Sequence, residues 1–203
     1  FFIGTTALHI KHVIDIEGSL IARTIEATIV RSWDQISYSE PLDRFSAFSK
    51  TTGRQEIPCA SNGDGVAVLF ALGQSNAANY GRTLRKGLPG LQNFNFLDGK
   101  CYKATDPLLG ATGTGGSLWI ELGNRLIQGG KYHHVVIVPI AVSGSSIHRW
   151  ADPRDLGARI VRASEALKIS GLKPTVILFI QGEADFYASP AWARLRPSSF
   201  IRL

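Results

Sequence analysis

The apolar positions of this chain fall into two textures. In the larger, C-terminal part three uninterrupted runs stand out: Val66 to Leu72, Val135 to Ala141 and Thr175 to Ile180. An apolar run of this length without polar alternation is how a strand buried on both faces reads, and such strands belong to parallel sheets covered by helices. Between them the period changes. Ser117 to Gln128 places Leu118, Leu122 and Leu126 one turn apart, opens on a capping-type serine and stops at Gly129-Gly130. A further helix is predicted with Asp152 as N-cap, Pro153 at the first helical position and Asp155 in the first turn. Its apolar face is Leu156, Ile160 and Leu167, and Gly171 is its stop. Strands alternating with helices predict an α/β domain around a parallel sheet. From Ser75 to the glycine-rich run at Gly110 the pattern predicts helical or irregular chain.

Residues 1–60 read differently, as a β-rich appendage and linker preceding a domain over 61–203. Leu8 to Ile16 and Leu20 to Val30 are rich in Ile, Val and Thr with partial alternation, the pattern of half-exposed strands, with Gly18-Ser19 as the turn. Ser32 to Asp64 is polar and punctuated by Pro41, Gly53, Pro58 and Asn62-Gly63-Asp64-Gly65, which predicts loop. The chain opens on Phe1-Phe2-Ile3 and has no methionine, as a processed or partial chain would. Phe1 to Ile10 reads as an N-terminal strand, with the remnant of a signal segment as the alternative.

Composition narrows the class. With 203 residues and a formal net charge of +6 the chain has the length of one ordinary domain or a smaller domain with an appendage. The Lys and Arg residues are scattered, with no aromatic-interleaved basic patch, so nucleic acid is not an expected partner. No window approaches the 18 or more apolar residues of a membrane span. Cys59 and Cys101 are too few for a disulfide framework and lack metal-ligand spacing; pairing and free thiols both stay open.

The chemistry-bearing residues sit just past the apolar runs. Val66 to Leu72 runs directly into Gly73-Gln74-Ser75-Asn76, which puts Ser75 beyond the carboxyl end of a buried strand, the edge where open α/β sheets bind ligands. Gly73 permits a sharp turn that would present a small nucleophile. The second run feeds Ser143-Gly144-Ser145-Ser146, and the third feeds Gln181-Gly182-Glu183-Ala184-Asp185. Gly110 to Gly116 is glycine-rich, but no Gly-Lys-Ser/Thr ends it and no strand precedes it, so it is read as structural and not as a phosphate cradle.

These three ordered motifs, G-Q-S-N at 73–76, S-G-S-S-I-H-R-W at 143–150 and Q-G-E-A-D at 181–185, resemble the first three blocks of the SGNH hydrolases, in particular the carbohydrate acetylesterase branch that includes the sialate O-acetylesterases. The resemblance implies a three-layer, flavodoxin-like parallel sheet and removal of acetyl groups from O-acetylated sugars, without metal or cofactor. It assigns Ser75 as nucleophile, with its own backbone N–H, that of Gly144 and the Gln181 side-chain amide as oxyanion donors. Gln74, Asn76, Glu183 and His148 fall to the substrate-binding set. Glu183 and Asp185 are expected chiefly to organise their loop by accepting backbone N–H bonds. A secreted or periplasmic location is the favoured one.

One part of that family pattern is missing. A serine needs a base, normally a histidine steered by a carboxylate, and the family supplies it from an Asp-x-x-His motif that this sequence lacks. The chain therefore reads as truncated, with an acetylesterase of low activity expected. His133 and His134 precede the second strand and so fall at the far end of the sheet; His148 is on the correct edge and is read as a loop residue or substrate contact. Two other functions stay open: a non-catalytic carbohydrate-binding protein, and an α/β-hydrolase with a displaced triad. Ala77 counts against the latter, because its Gly-x-Ser-x-Gly elbow needs glycine there.

Overall fold

A computed structural model describes residues 44–188. The two predicted N-terminal strands, the signal-segment alternative, His9, His12 and the C-terminal tail lie outside the described residues. Six strands form one sheet: β1 (Glu56–Ile57), β2 (Val66–Gly73), β3 (Leu91–Asn95), β4 (Lys100–Lys103), β5 (His134–Pro139) and β6 (Val176–Ile180), in the spatial order β1-β4-β3-β5-β2-β6. In the order that the family resemblance implies, β2 is flanked by β5 on one side and β6 on the other, both parallel, with Leu69 opposite Ile137 and Val176. β3 continues the parallel set beside β5, while β4 and β1 pair antiparallel at the far edge.

Alternate residues of the central strands point to opposite faces, and a helix covers each. On one face Val68, Phe70, Leu72, Val136 and Val138 pack under α3 (Leu156–Ile169) through Leu156, Ile160, Ala163 and Leu167. On the other Ala67, Leu69, Ala71, Val135 and Ile137 pack under α1 (Leu118–Gln128) through Trp119 and Ile120. The result is the expected three-layer, flavodoxin-like α/β arrangement. Two short helices complete the described residues, α2 (Ile147–Ala151) and α4 (Glu183–Ala188).

The structure corrects three sequence expectations. The stretch after Ser75 carries the β3–β4 hairpin, not helical or irregular chain alone. The buried polar side chains that disguise β3 are satisfied from outside the strand: Asn93 binds both Leu109 backbone groups, and Gln92 takes the Ala60 N–H and binds the Pro58 carbonyl. The predicted cap is also displaced. Asp152 closes α2, its carboxylate accepts the Arg154 N–H at 2.9 Å, and Asp155 is the residue that precedes α3. Finally, the stretch read as loop over Ser32 to Asp64 contributes β1, which pairs with β4, and Cys59 just past β1 is joined to Cys101 of β4 by a disulfide. Gly171 ends α3 as expected: at φ +71° it lets the Leu172 N–H reach the Leu167 carbonyl and its own N–H reach that of Lys168.

Candidate active site at the carboxyl edge of the sheet

β2 ends at Gly73, whose φ of +128° is forbidden to most residues. A Cβ there would overlap the Ile180 carbonyl, because the chain turns hard against β6, with the Gln74 N–H bound to that same carbonyl at 3.0 Å. A single 3-10 turn, Ser75–Ala77, follows. It is pinned from beneath by α1: the buried Trp119 indole donates to the Ala77 carbonyl at 2.6 Å. Ser75 is half-buried, Gln74 buried and Asn76 exposed. Among the described residues the backbone N–H groups of Ser75 and Asn76 donate to no protein acceptor.

Three strand-end loops meet here. The Gln181 amide Nε2, just past β6, lies 2.6 Å from the Ser145 carbonyl in the loop after β5, 2.9 Å from Asp185 Oδ2 and 3.4 Å from Gln74 Oε1 in the loop after β2. Gln74 Oε1 also accepts the Ala184 N–H at 3.0 Å. The Asn76 side-chain amide donates to the Glu183 carboxylate. Asp185 takes the Ile147 N–H on both oxygens, at 3.0 and 3.1 Å, and so holds the start of α2. The structure thus gathers Gln74, Ser75, Asn76, Gln181 and Glu183 at one edge, with Gly144 beside Ser145.

Gly144 is exposed at φ +69°, and its N–H has no protein acceptor among the described residues. Its neighbour Ser145 is fully buried and receives the Trp150 indole N–H on its hydroxyl at 2.8 Å. The loop that carries Gly144 is therefore anchored from below while its backbone faces outward. The resemblance named Trp150 only as part of a motif; its work in the fold is this anchor and an edge-to-face contact with Phe179 of β6.

A fourth loop, the glycine-rich run, braces two of these three, those after β2 and β5. The Asn79 N–H binds the Thr112 carbonyl at 2.9 Å, the Thr112 N–H binds Ala141 at 3.0 Å, and the Thr112 hydroxyl accepts the Ser143 N–H at 2.9 Å. Asn79 is buried and spans Leu108 with both side-chain atoms at 2.9 Å. The structural reading of Gly110 to Gly116 holds, and it lies directly against the site. Asp106 fixes its exit by accepting the Ser117 and Arg85 N–H groups at 3.0 Å each; burial raises its carboxyl above the usual range, opposed by those bonds.

The family is decided at this point by sequence. Residues 65–195, well over half of the chain, match the family model described as carbohydrate esterase, sialic acid-specific acetylesterase. The chain belongs to this carbohydrate esterase family. No curated protein matches it. Family membership implies an acetylated carbohydrate as substrate, and the match starts one residue before β2 and includes every site residue named above.

Within this esterase fold the histidines are separated. His134 pairs in register with Val66, at the opposite end of β2 from Ser75, and His133 stacks edge-on against it at 5.2 Å. His148 lies on the site edge in α2, exposed, and its imidazole makes no hydrogen bond among the described residues. Its neighbour Arg149 grips Asp155 with two bonds of 2.7 and 3.1 Å, which raises the guanidinium pKa and ties α2 to α3. Among the described residues no three His, Cys, Asp or Glu side chains cluster as metal ligands, and no helix is long and apolar enough to cross a membrane.

Proposed function

We propose that this member of the family removes acetyl groups from O-acetylated sugars by attack of Ser75 Oγ on the acetyl carbonyl. The oxyanion that forms would be received by the backbone N–H groups of Ser75 and Gly144. The ester C–O bond then breaks, the sugar oxygen leaves as the alcohol with the proton given up by the Ser75 hydroxyl, and water hydrolyses the acetyl-serine to acetate and free serine. The observation that carries this reading is the junction at Gln181, which joins the loops of Gln74 and Ser145 while the Ser75 and Gly144 N–H groups have no protein acceptor among the described residues. Fixed donors aimed at developing charge are the largest single contribution in such sites, of the order of 10² to 10³ in kcat per donor.

Gln181 itself takes a modified role in this proposal. Its Nε2 already faces three acceptors and has only two hydrogens, so it positions the oxyanion loops and donates to the oxyanion only if substrate displaces one of them. A second reading, sugar binding without turnover, is favoured by the exposed and unbonded state of His148, the one described histidine on this edge. Incubation with p-nitrophenyl acetate followed by mass spectrometry separates the two: an acetyl adduct lost in Ser75→Ala supports the esterase, and no adduct on Ser75 supports the binding protein.

A further inference from the structure

Few large apolar side chains are exposed among the described residues, and Tyr80, at 55% exposure, stands five residues past Ser75. A single exposed tyrosine needs no explanation; the way this one is mounted does. On its N-terminal side Asn79 is locked by its N–H to Thr112 and its carbonyl to the Gly115 N–H. On its C-terminal side Gly81 and Gly116 exchange two backbone bonds of 2.8 and 2.7 Å. The ring edge rests on Gly113, where a Cβ would come within 2.8 Å of Tyr80 Cε2. Gly113 follows Thr112, whose hydroxyl holds Ser143, the neighbour of Gly144. The backbone on both sides of Tyr80 is therefore tied down, and its ring stands half in solvent on the loop that carries the nucleophile candidate, with one edge against the loop that braces Gly144.

We infer that Tyr80 is a stacking platform for the pyranose ring of the acetylated sugar, a substrate-binding residue that rests on the esterase reading above. A pyranose presents an apolar C–H face and a polar rim. A flat ring fixed in advance buries that face with little loss of side-chain freedom, which is how tyrosine serves recognition surfaces. The hydroxyl is not required, because the ring face makes the contact.

The test uses the full 203-residue chain carrying Ser75→Ala, so that ester is bound and not cleaved, titrated calorimetrically with the methyl glycoside of a mono-O-acetylated sialic acid. Adding Tyr80→Ala is expected to weaken binding about tenfold, equivalent to about 1.4 kcal/mol; Tyr80→Phe keeps it within about twofold. Ile169→Ala, an exposed apolar residue at the end of α3, leaves it unchanged. Equal binding by the alanine and tyrosine forms, an equal loss in the phenylalanine form, or no sugar binding by the parent would each overturn the platform. The serine chemistry is read separately by acetyl capture on Ser75 from p-nitrophenyl acetate, so its failure is distinguishable from failure of the platform.

Discussion

Gln181 Nε2 sits 2.6 Å from the carbonyl oxygen of Ser145, joining the loops after β6 and β5 across the end of β2. The acceptors around this amide, the Ser145 carbonyl, Asp185 Oδ2 and Gln74 Oε1, make the site a single hydrogen-bonded unit. The same set of acceptors dictates what a carboxylate would do there.

Gln181→Glu replaces the donor by charge facing only acceptors. The carboxyl is favoured in its protonated form in the folded state, so its folded pKa is raised above its unfolded value. Stability is then retained below the unfolded pKa and lost as pH rises through the folded one. Urea denaturation should show a deficit of about 1 to 3 kcal/mol at pH 7, the usual cost of stranding buried polar groups, shrinking toward pH 4. A pH-independent deficit would mean that the amide's hydrogens are not committed to these acceptors.

The central sheet was legible in sequence because β2, β5 and β6 fall in nearly uninterrupted apolar runs, the pattern of strands in a helix-covered parallel sheet. β3 was not, because Gln92 and Asn93 look like a loop until their partners arrive from residues distant in sequence. Gln74, Ser75, Asn76, Gly144, Gln181 and Glu183 were found through ordered motifs, whereas Asn79, Thr112 and Trp119 carry no local signal. Their roles are bonds to backbone carbonyls and N–H groups set only by the packing of loops. The displaced cap is also a matter of packing: Asp152-Pro153 is a good helix start in sequence, but Asp152 closes α2 and Asp155, held by Arg149, precedes α3.

Asp106 gives a second pH signature. Burial is the largest influence and raises its pKa, so its contribution to stability is fully present at low pH and declines as pH rises through the folded pKa. Asp106→Asn keeps one acceptor and turns an N–H toward the Arg85 or Ser117 donor. The variant should be less stable by about 1 to 3 kcal/mol, with the gap widest in acid and narrower at pH 7. Paired thermal melts across that range would show it; a gap that widens with pH would reverse the sign of the burial argument.

The disulfide acts on the edge of the sheet and not on the site. Cys59 and Cys101 are 42 residues apart, and closing a loop of that length restricts the unfolded chain by about 4 kcal/mol in the entropic account. Replacing both by serine should lower stability by up to about that amount, with faster amide exchange in β1 and β4. Acetyl capture by Ser75 should persist under folding conditions, since β2 is separated from that edge by β3 and β5. Loss of capture without loss of fold would tie the edge to the site.

The last prediction concerns the base. A histidine that activates Ser75 must bond its hydroxyl and be steered by a carboxylate, and His148 does neither among the described residues, where the nearby carboxylates of Asp155 and Asp185 are bound to Arg149 and to Gln181 and Ile147. With the proposed oxyanion site and no base in contact among the described residues, roughly 10³ to 10⁴ over water is the acceleration expected of the 203-residue chain. Its rate on p-nitrophenyl acetate should fall to background in Ser75→Ala and stay unchanged in His148→Ala. A steep loss of that Ser75-dependent rate in the His148 variant would make His148 the base and move it into the catalytic set.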